Sequence, residues 1–125
     1  MRVLVDTHVL LWMLQDPNHI APDAADVLKA EDTAIVVSVI SLWEIAIKRA
    51  AGKLNAPEDL PDRLRKLGHE TLGLNADHAW RAGALPPHHR DPFDRALVAQ
   101  ALVEDLPLIT HDQSLFAYEA RIIRA

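Results

Sequence analysis

The chain contains no cysteine, which at once removes disulfide staples, thiolate metal sites and a cysteine nucleophile. That fits a reducing cytosol. Long apolar runs are missing too. The longest are Val9 to Leu14 and Ala34 to Val37, far short of the roughly 20 residues of a membrane span. Asp6 arrives before any apolar region long enough for a signal peptide, so a soluble, cytoplasmic protein is expected. Positive charge is scarce: 13 Lys and Arg stand against 18 Asp and Glu, a net charge of −5. Phosphate binding usually leaves a basic footprint, so a nucleic-acid partner makes sense only if several of these acids bind divalent cations.

Half of the residues are hydrophobic, enough for a core, and with 25% charged the composition rules against disorder. No repeat, low-complexity stretch or linker interrupts the sequence, and residues 1–125 read as one domain. Strand and helix patterns alternate, the mark of βαβ units around a mostly parallel sheet. The expected strands are Val3–Val5, Thr33–Val37, Glu70–Leu72, Leu106–Ile109 and Arg121–Ile123. The expected helices are Thr7–Gln15, Pro22–Glu31, Ser41–Ala51, Glu58–Leu67, Ala76–Ala84, Pro92–Asp105 and Gln113–Ala117. Gly52 stands where a helix C-cap favours glycine.

Four acids fall at similar places in this pattern. Asp6 ends the first strand, Glu44 and Asp94 lie in the first turns of helices, and Asp112 follows the fourth strand. Ligands of open α/β sheets bind outside the carboxyl ends of strands, where Asp6, Glu44 and Asp112 should point. Each acid alone has an ordinary explanation. Asp is a favoured N-cap, and acids in a first turn offset the helix dipole. Ser41-Leu42-Trp43-Glu44 matches a capping box, and Glu44 with Lys48 forms a favourable i, i+4 pair. Asp91-Pro92 reads as an N-cap followed by proline at the first helical position. Taken together, four carboxylates in one cleft repel one another unless cations neutralise them. Oxygen ligands without cysteine suit Mg²⁺ or Mn²⁺ rather than zinc, and such ions assist phosphodiester cleavage.

The runs Leu4-Val5-Asp6-Thr7-His8, Ser41-Leu42-Trp43-Glu44-Ile45, HHRDPFDRALVAQA and Leu108-Ile109-Thr110-His111-Asp112 before Phe116 follow one another in this order over nearly the whole length. In them the chain resembles the PIN-domain family, specifically the VapC-like toxins of toxin–antitoxin pairs. The resemblance implies a three-layer α/β/α fold and a metal-dependent ribonuclease. It carries the acids over as Asp6, Glu44, Asp94 and Asp112, with Thr110 as a polar helper and Mg²⁺ or Mn²⁺ as cofactor. It further implies an RNA substrate, a cognate antitoxin and a homodimer or toxin–antitoxin hetero-oligomer. One departure is visible: many members carry another acid where this chain has Leu115.

Around the acids, Asp91 is expected to cap rather than ligate. His88, His89 and Arg90 could either grip a phosphate or form a solvated loop. His8 and His111 are expected beside the ligands, not among them. Lys48, Arg49 and Lys53 form a modest basic group near Glu44. The first helix is apolar on nearly every side from Val9 to Leu14, and Leu42, Trp43, Ile45, Ala46 and Ile47 give the third a similarly wide face. Since one sheet face asks only for an apolar stripe, a partner helix or dimer mate is expected there. A dehalogenase-like phosphatase would need an acid where His8 stands. A receiver domain would want paired acids after the first strand and a phosphorylatable Asp mid-chain, whereas Ser38 and Ser41 follow the second strand. A non-catalytic interaction module would leave all the acids as caps.

Overall fold

The computed structural model describes all 125 residues and explains the chain from the alternation in its strands. Val3 and Val5 of β1 (Arg2–Val5), Ile35 and Val37 of β2 (Ala34–Ser38) and Ile109 of β4 (Leu108–Thr110) belong to one buried cluster. Leu4, Val36 and Leu108, the residues between them, belong to another. A strand turns successive side chains to opposite faces, so a sheet buried on both sides is made of unbroken apolar runs.

With β3 (Glu70–Leu72) and β5 (Ile122–Arg124) the sheet has five strands in the order β3-β2-β1-β4-β5, every pair parallel. Where a mostly parallel sheet is expected, the sheet is parallel throughout. The layer on the first face holds α1 (Thr7–Gln15), α2 (Pro22–Lys29), part of α3 (Val39–Ala50) and α4 (Leu60–Lys66). The other face is covered by α5 (Ala76–Ala84) and α6 (Pro92–Val103), which pack on each other. The result is the expected three-layer α/β/α arrangement. No helix is long and apolar enough to cross a membrane.

Strand order reverses between β1 and β4, which opens a crevice at their carboxyl ends. Asp6 N donates to Ile109 O at 3.0 Å, tying the two strands together there. Several elements differ from expectation. Gln113–Ala117 is a 3-10 turn, and a further 3-10 turn, Pro17–His19, follows α1. The fourth strand starts at Leu108 rather than Leu106, because Asp105 takes a left-handed φ of 53° and Leu106-Pro107 leads the chain into the sheet. The third helix begins at Val39, not Ser41. Ser38 closes β2 and caps the helix by accepting from Ile40 N at 3.0 Å, so no loop intervenes.

Candidate metal centre

Asp6 stands at the end of β1 and is 4% exposed. Its Oδ1 accepts from Val9 N at 2.8 Å and caps α1, while its Oδ2 accepts from Thr110 Oγ1 across the strand reversal. Burial raises its pKa above the ordinary carboxylate range, against the pull of these two bonds. Thr110 serves both sides of the crevice, since its Oγ1 also accepts from Asp112 N at 3.1 Å. Asp112 caps the following 3-10 turn through Ser114 N and Ser114 Oγ, at 3.0 and 2.6 Å from its Oδ1. Partial burial pushes the Asp112 carboxyl up, but the bonds from Ser114 and His89 outweigh it and hold the pKa low.

Glu44 and Asp94 cap nothing. Because α3 starts early, Glu44 lies in its second turn and is 3% exposed. Thr7 Oγ1 donates to Ser41 Oγ at 3.0 Å and ties the start of α1 to α3 beside it. Lys48 Nζ donates to Glu44 Oε2 at 2.6 Å, whereas Glu44 Oε1 is buried without a hydrogen-bond partner. Asp91 is the N-cap of α6, its Oδ1 accepting from Phe93 N and Asp94 N. Asp94, three residues on, is pushed up to about 7, first by burial, then by repulsion from Asp91, with Glu44 and Asp6 adding to it against the pull of His89. Asp94, Asp112 and His89 offer ligand atoms that all lie within 4.8 Å of one another. An uncompensated buried carboxylate costs on the order of several kcal/mol. The donor set therefore fits a cation held by carboxylate oxygens.

The histidine that joins them is His89. Its Nδ1 accepts from Asp91 N at 2.9 Å, so in the neutral ring Nε2 carries the hydrogen. That Nε2 lies 2.9 Å from Asp112 Oδ2 and 3.1 Å from Asp94 Oδ2. It donates into the acids and has no lone pair free for a metal, which leaves carboxylate oxygens as the candidate donors of this cluster. The loop carrying His89 is pinned by Arg95, whose part no local sequence pattern marks. Its guanidinium donates to the carbonyls of Ala82, Leu85, Pro86 and His89, at 2.8 to 3.1 Å. Only the Arg that follows the Asp94 position hints at it, since main-chain acceptors leave no trace in a sequence.

The remaining sequence candidates separate. His88 is exposed, packed edge-on to Tyr118, and Arg90 is exposed. Lys48 is engaged by Glu44, Arg49 Nε donates to Ala56 O, and Lys53 is exposed, so no continuous basic track forms. Leu115 is fully buried in the core. His8 and His111 border a cleft of about 500 Å³ shared with Asp6, Asp112, Trp12 and Gln113. Trp43 remains 58% exposed and Ile47 46% exposed, while Trp12 is half-buried.

A family model described as PIN domain matches residues 3–120. The protein named Ribonuclease VapC22 of Mycobacterium tuberculosis is 30% identical over 121 residues, covering 90% of this chain and 88% of its own. Among solved structures, VapBC2 from Rickettsia felis, bound to a DNA fragment from its promoter, superposes with a TM-score of 0.72 at 17% identity, over 100% of this chain and 99% of that one. DNA-bound VapBC from Salmonella typhimurium gives 0.70 at 17% identity, over 99% and 98%. At these identities the two structures speak to the fold.

Proposed function

We propose that this chain, which belongs to the PIN-domain family, is a divalent-metal-dependent endoribonuclease, the toxin of a pair whose cognate antitoxin holds it inactive. The observation that carries the reading is Glu44 Oε1, buried without a partner beside an Asp94 whose pKa is driven to about 7. Neither acid serves a helix end, so stability alone gives no reason to bury them. The ribonuclease named as a relative supports RNA as substrate, and the toxin–antitoxin complexes among the structural neighbours support the partner. Action on cellular RNA places the chain in the cytoplasm.

We assign the metal to the carboxylates of Asp6, Glu44, Asp94 and Asp112. Bound there, Mg²⁺ or Mn²⁺ would supply activated water and offset charge on the phosphate under attack. The chain prepares that chemistry. Thr110 aims Asp6 Oδ2, Ser114 and His89 orient Asp112, and Arg95 fixes the loop from which His89 reaches Asp94. Lys48, held on Glu44, offsets part of the crowded negative charge. His89 keeps its proton on Nε2, beside the oxygens that crowd the centre.

Replacing Asp94 or Asp6 by Asn preserves shape and a hydrogen-bond acceptor while removing charge. Cleavage of RNA should fall by orders of magnitude in both variants at limiting Mg²⁺. Both variants should still melt cooperatively in EDTA, because Asn keeps the shape and one acceptor oxygen at each position. Excess Mn²⁺ should restore part of the activity. Full cleavage by both variants at limiting Mg²⁺ would falsify the assignment.

A further inference from the structure

One wall of the cleft that opens beside Asp6 and Asp112 takes no part in holding the acids. Trp12, His8, His111 and Gln113 form it, and the whole cleft measures about 500 Å³, within the roughly 300–1,000 Å³ of small-ligand sites. Trp12 is braced from two sides. His19 of the 3-10 turn stacks on it, ring centroids 4.2 Å apart at 28°, and His111 meets it edge-on at 5.4 Å and 69°. His8, exposed, stands 6.4 Å from the indole at 45°. An aromatic platform held in this way loses little freedom when something stacks on it.

The hydrogen-bonding character of the cleft decides what that ligand is. His111 Nδ1 lies 2.9 Å from the main-chain oxygen of Ala125, which can only accept, so Nδ1 carries the hydrogen and Nε2 of the neutral ring is an acceptor. With the carboxylates of Asp6 and Asp112 lining the same space, the polar groups are mostly acceptors. A bare phosphate is thereby disfavoured. A ligand bringing a flat apolar face together with N–H and O–H donors is favoured, and a nucleobase on its ribose has both.

From this juxtaposition we propose that Trp12, His8, His111 and Gln113 form a nucleoside subsite, taking the base and ribose of one single-stranded RNA nucleotide next to the scissile phosphate. It rests on the nuclease reading and adds to it a contact for one base of the substrate. The base packs against the aromatic wall, and His111 Nε2 accepts from the ribose 2′-hydroxyl or a base N–H. This also answers the shortage of cations, since stacking supplies affinity that an acidic surface cannot draw from phosphate contacts.

The test uses the full chain carrying Trp43→Phe and Trp80→Phe, both at exposed positions, which leaves Trp12 as the sole indole of the three. An eight-nucleotide single-stranded RNA is added to this chain carrying Asp94→Asn as well, which slows cleavage while Mg²⁺ remains to offset the other acids. Its all-deoxy counterpart and a ribose-phosphate octamer lacking bases are run beside it. The RNA should change Trp12 emission, the base-free octamer should not, and the deoxy strand should bind more weakly. His8→Ala and Trp12→Leu should each weaken RNA binding by roughly fivefold to a hundredfold, the range expected for losing one stacked base. His8→Ala removes an exposed ring, so it reports even if Trp12→Leu misfolds. Equal binding of the RNA and the base-free octamer, unchanged Trp12 emission, or no RNA binding at all overturns the subsite. Loss of cleavage in Asp94→Asn with a silent Trp12 removes the subsite and keeps the nuclease. A responding Trp12 in a chain that cuts no RNA with either metal does the reverse.

Discussion

Asp91 and Asp94 stand three residues apart at the start of α6, and only Asp91 caps it. The same division separates Asp6 and Asp112, which each serve a helix end, from Glu44, which serves none. Glu44→Gln should therefore raise the melting temperature in EDTA by a few degrees, since the amide needs no counter-charge and still offers Lys48 an acceptor. RNA cleavage should fall by at least a hundredfold in the same variant. A melting point lowered by several degrees would count against the idea that this acid is kept at the expense of stability. Arg95→Lys asks a different question of the site. One ammonium cannot reach four carbonyls as the planar guanidinium does, so the Pro86–Arg90 loop should loosen, with a loss of about 1.5–3 kcal/mol. Thermal melting together with a fall in activity checks this, and unchanged values in both would show that the loop holds itself. The places of Asp6, Asp94 and Asp112 in the fold are legible in the sequence because strand ends and helix starts are written in local patterns. His89 is not, since its role depends on a loop folded by Arg95 against main-chain carbonyls.

At the scale of elements, the strands are legible from their apolar runs, and the sheet from the alternation of strand and helix. The start of α3 is not. Ser41 and Glu44 have capping-box spacing, yet Ser38 lies at the end of β2 with φ −77° and ψ 143° and takes the cap first. A strand that passes straight into a helix erases the loop that local rules look for. The buried bond from Ser38 Oγ to Gln100 Oε1 at 2.5 Å then locks that junction to α6. The early start turns Glu44 into the interior and leaves Trp43 and Ile47 outside, with Trp43 set edge-on against Phe93 at 5.2 Å. This apolar stretch of α3 is the surface we assign to the antitoxin or a second copy. Ile47→Glu should shift the assembly toward the lone chain and leave its melting temperature within a degree or two, because a half-exposed position tolerates charge. Light scattering with and without the antitoxin checks it. A lone chain that already runs as a monomer, together with undiminished antitoxin binding by the Ile47→Glu variant, would exclude this face.

For the whole molecule, the crowded carboxylates make the metal-free fold sensitive to alkali. Asp94 is raised to about 7 and Asp6 is raised too, against about 4 for carboxylates in an unfolded chain. The folded state thus holds protons that the unfolded state has released, and this stability is lost as pH rises through the folded value. In EDTA the melting temperature should fall between about pH 5 and 8. Saturating Mg²⁺ should reverse the trend, because its binding displaces those protons and strengthens with pH. Asp94→Asn should flatten the decline in EDTA, and a decline of the same slope in that variant would assign it elsewhere. The strand reversal between β1 and β4 has one more effect, on timing. Thr110 meets Asp6 across 104 positions of sequence, and β4 follows β2 and β3 in the chain before it can pair with β1. Contacts so distant along the chain form late, after the local helices. During translation Asp6, Glu44 and Asp94 all emerge before the strand that brings the last acid to them. The ribosome therefore finishes most of this chain before the chain is able to harm RNA.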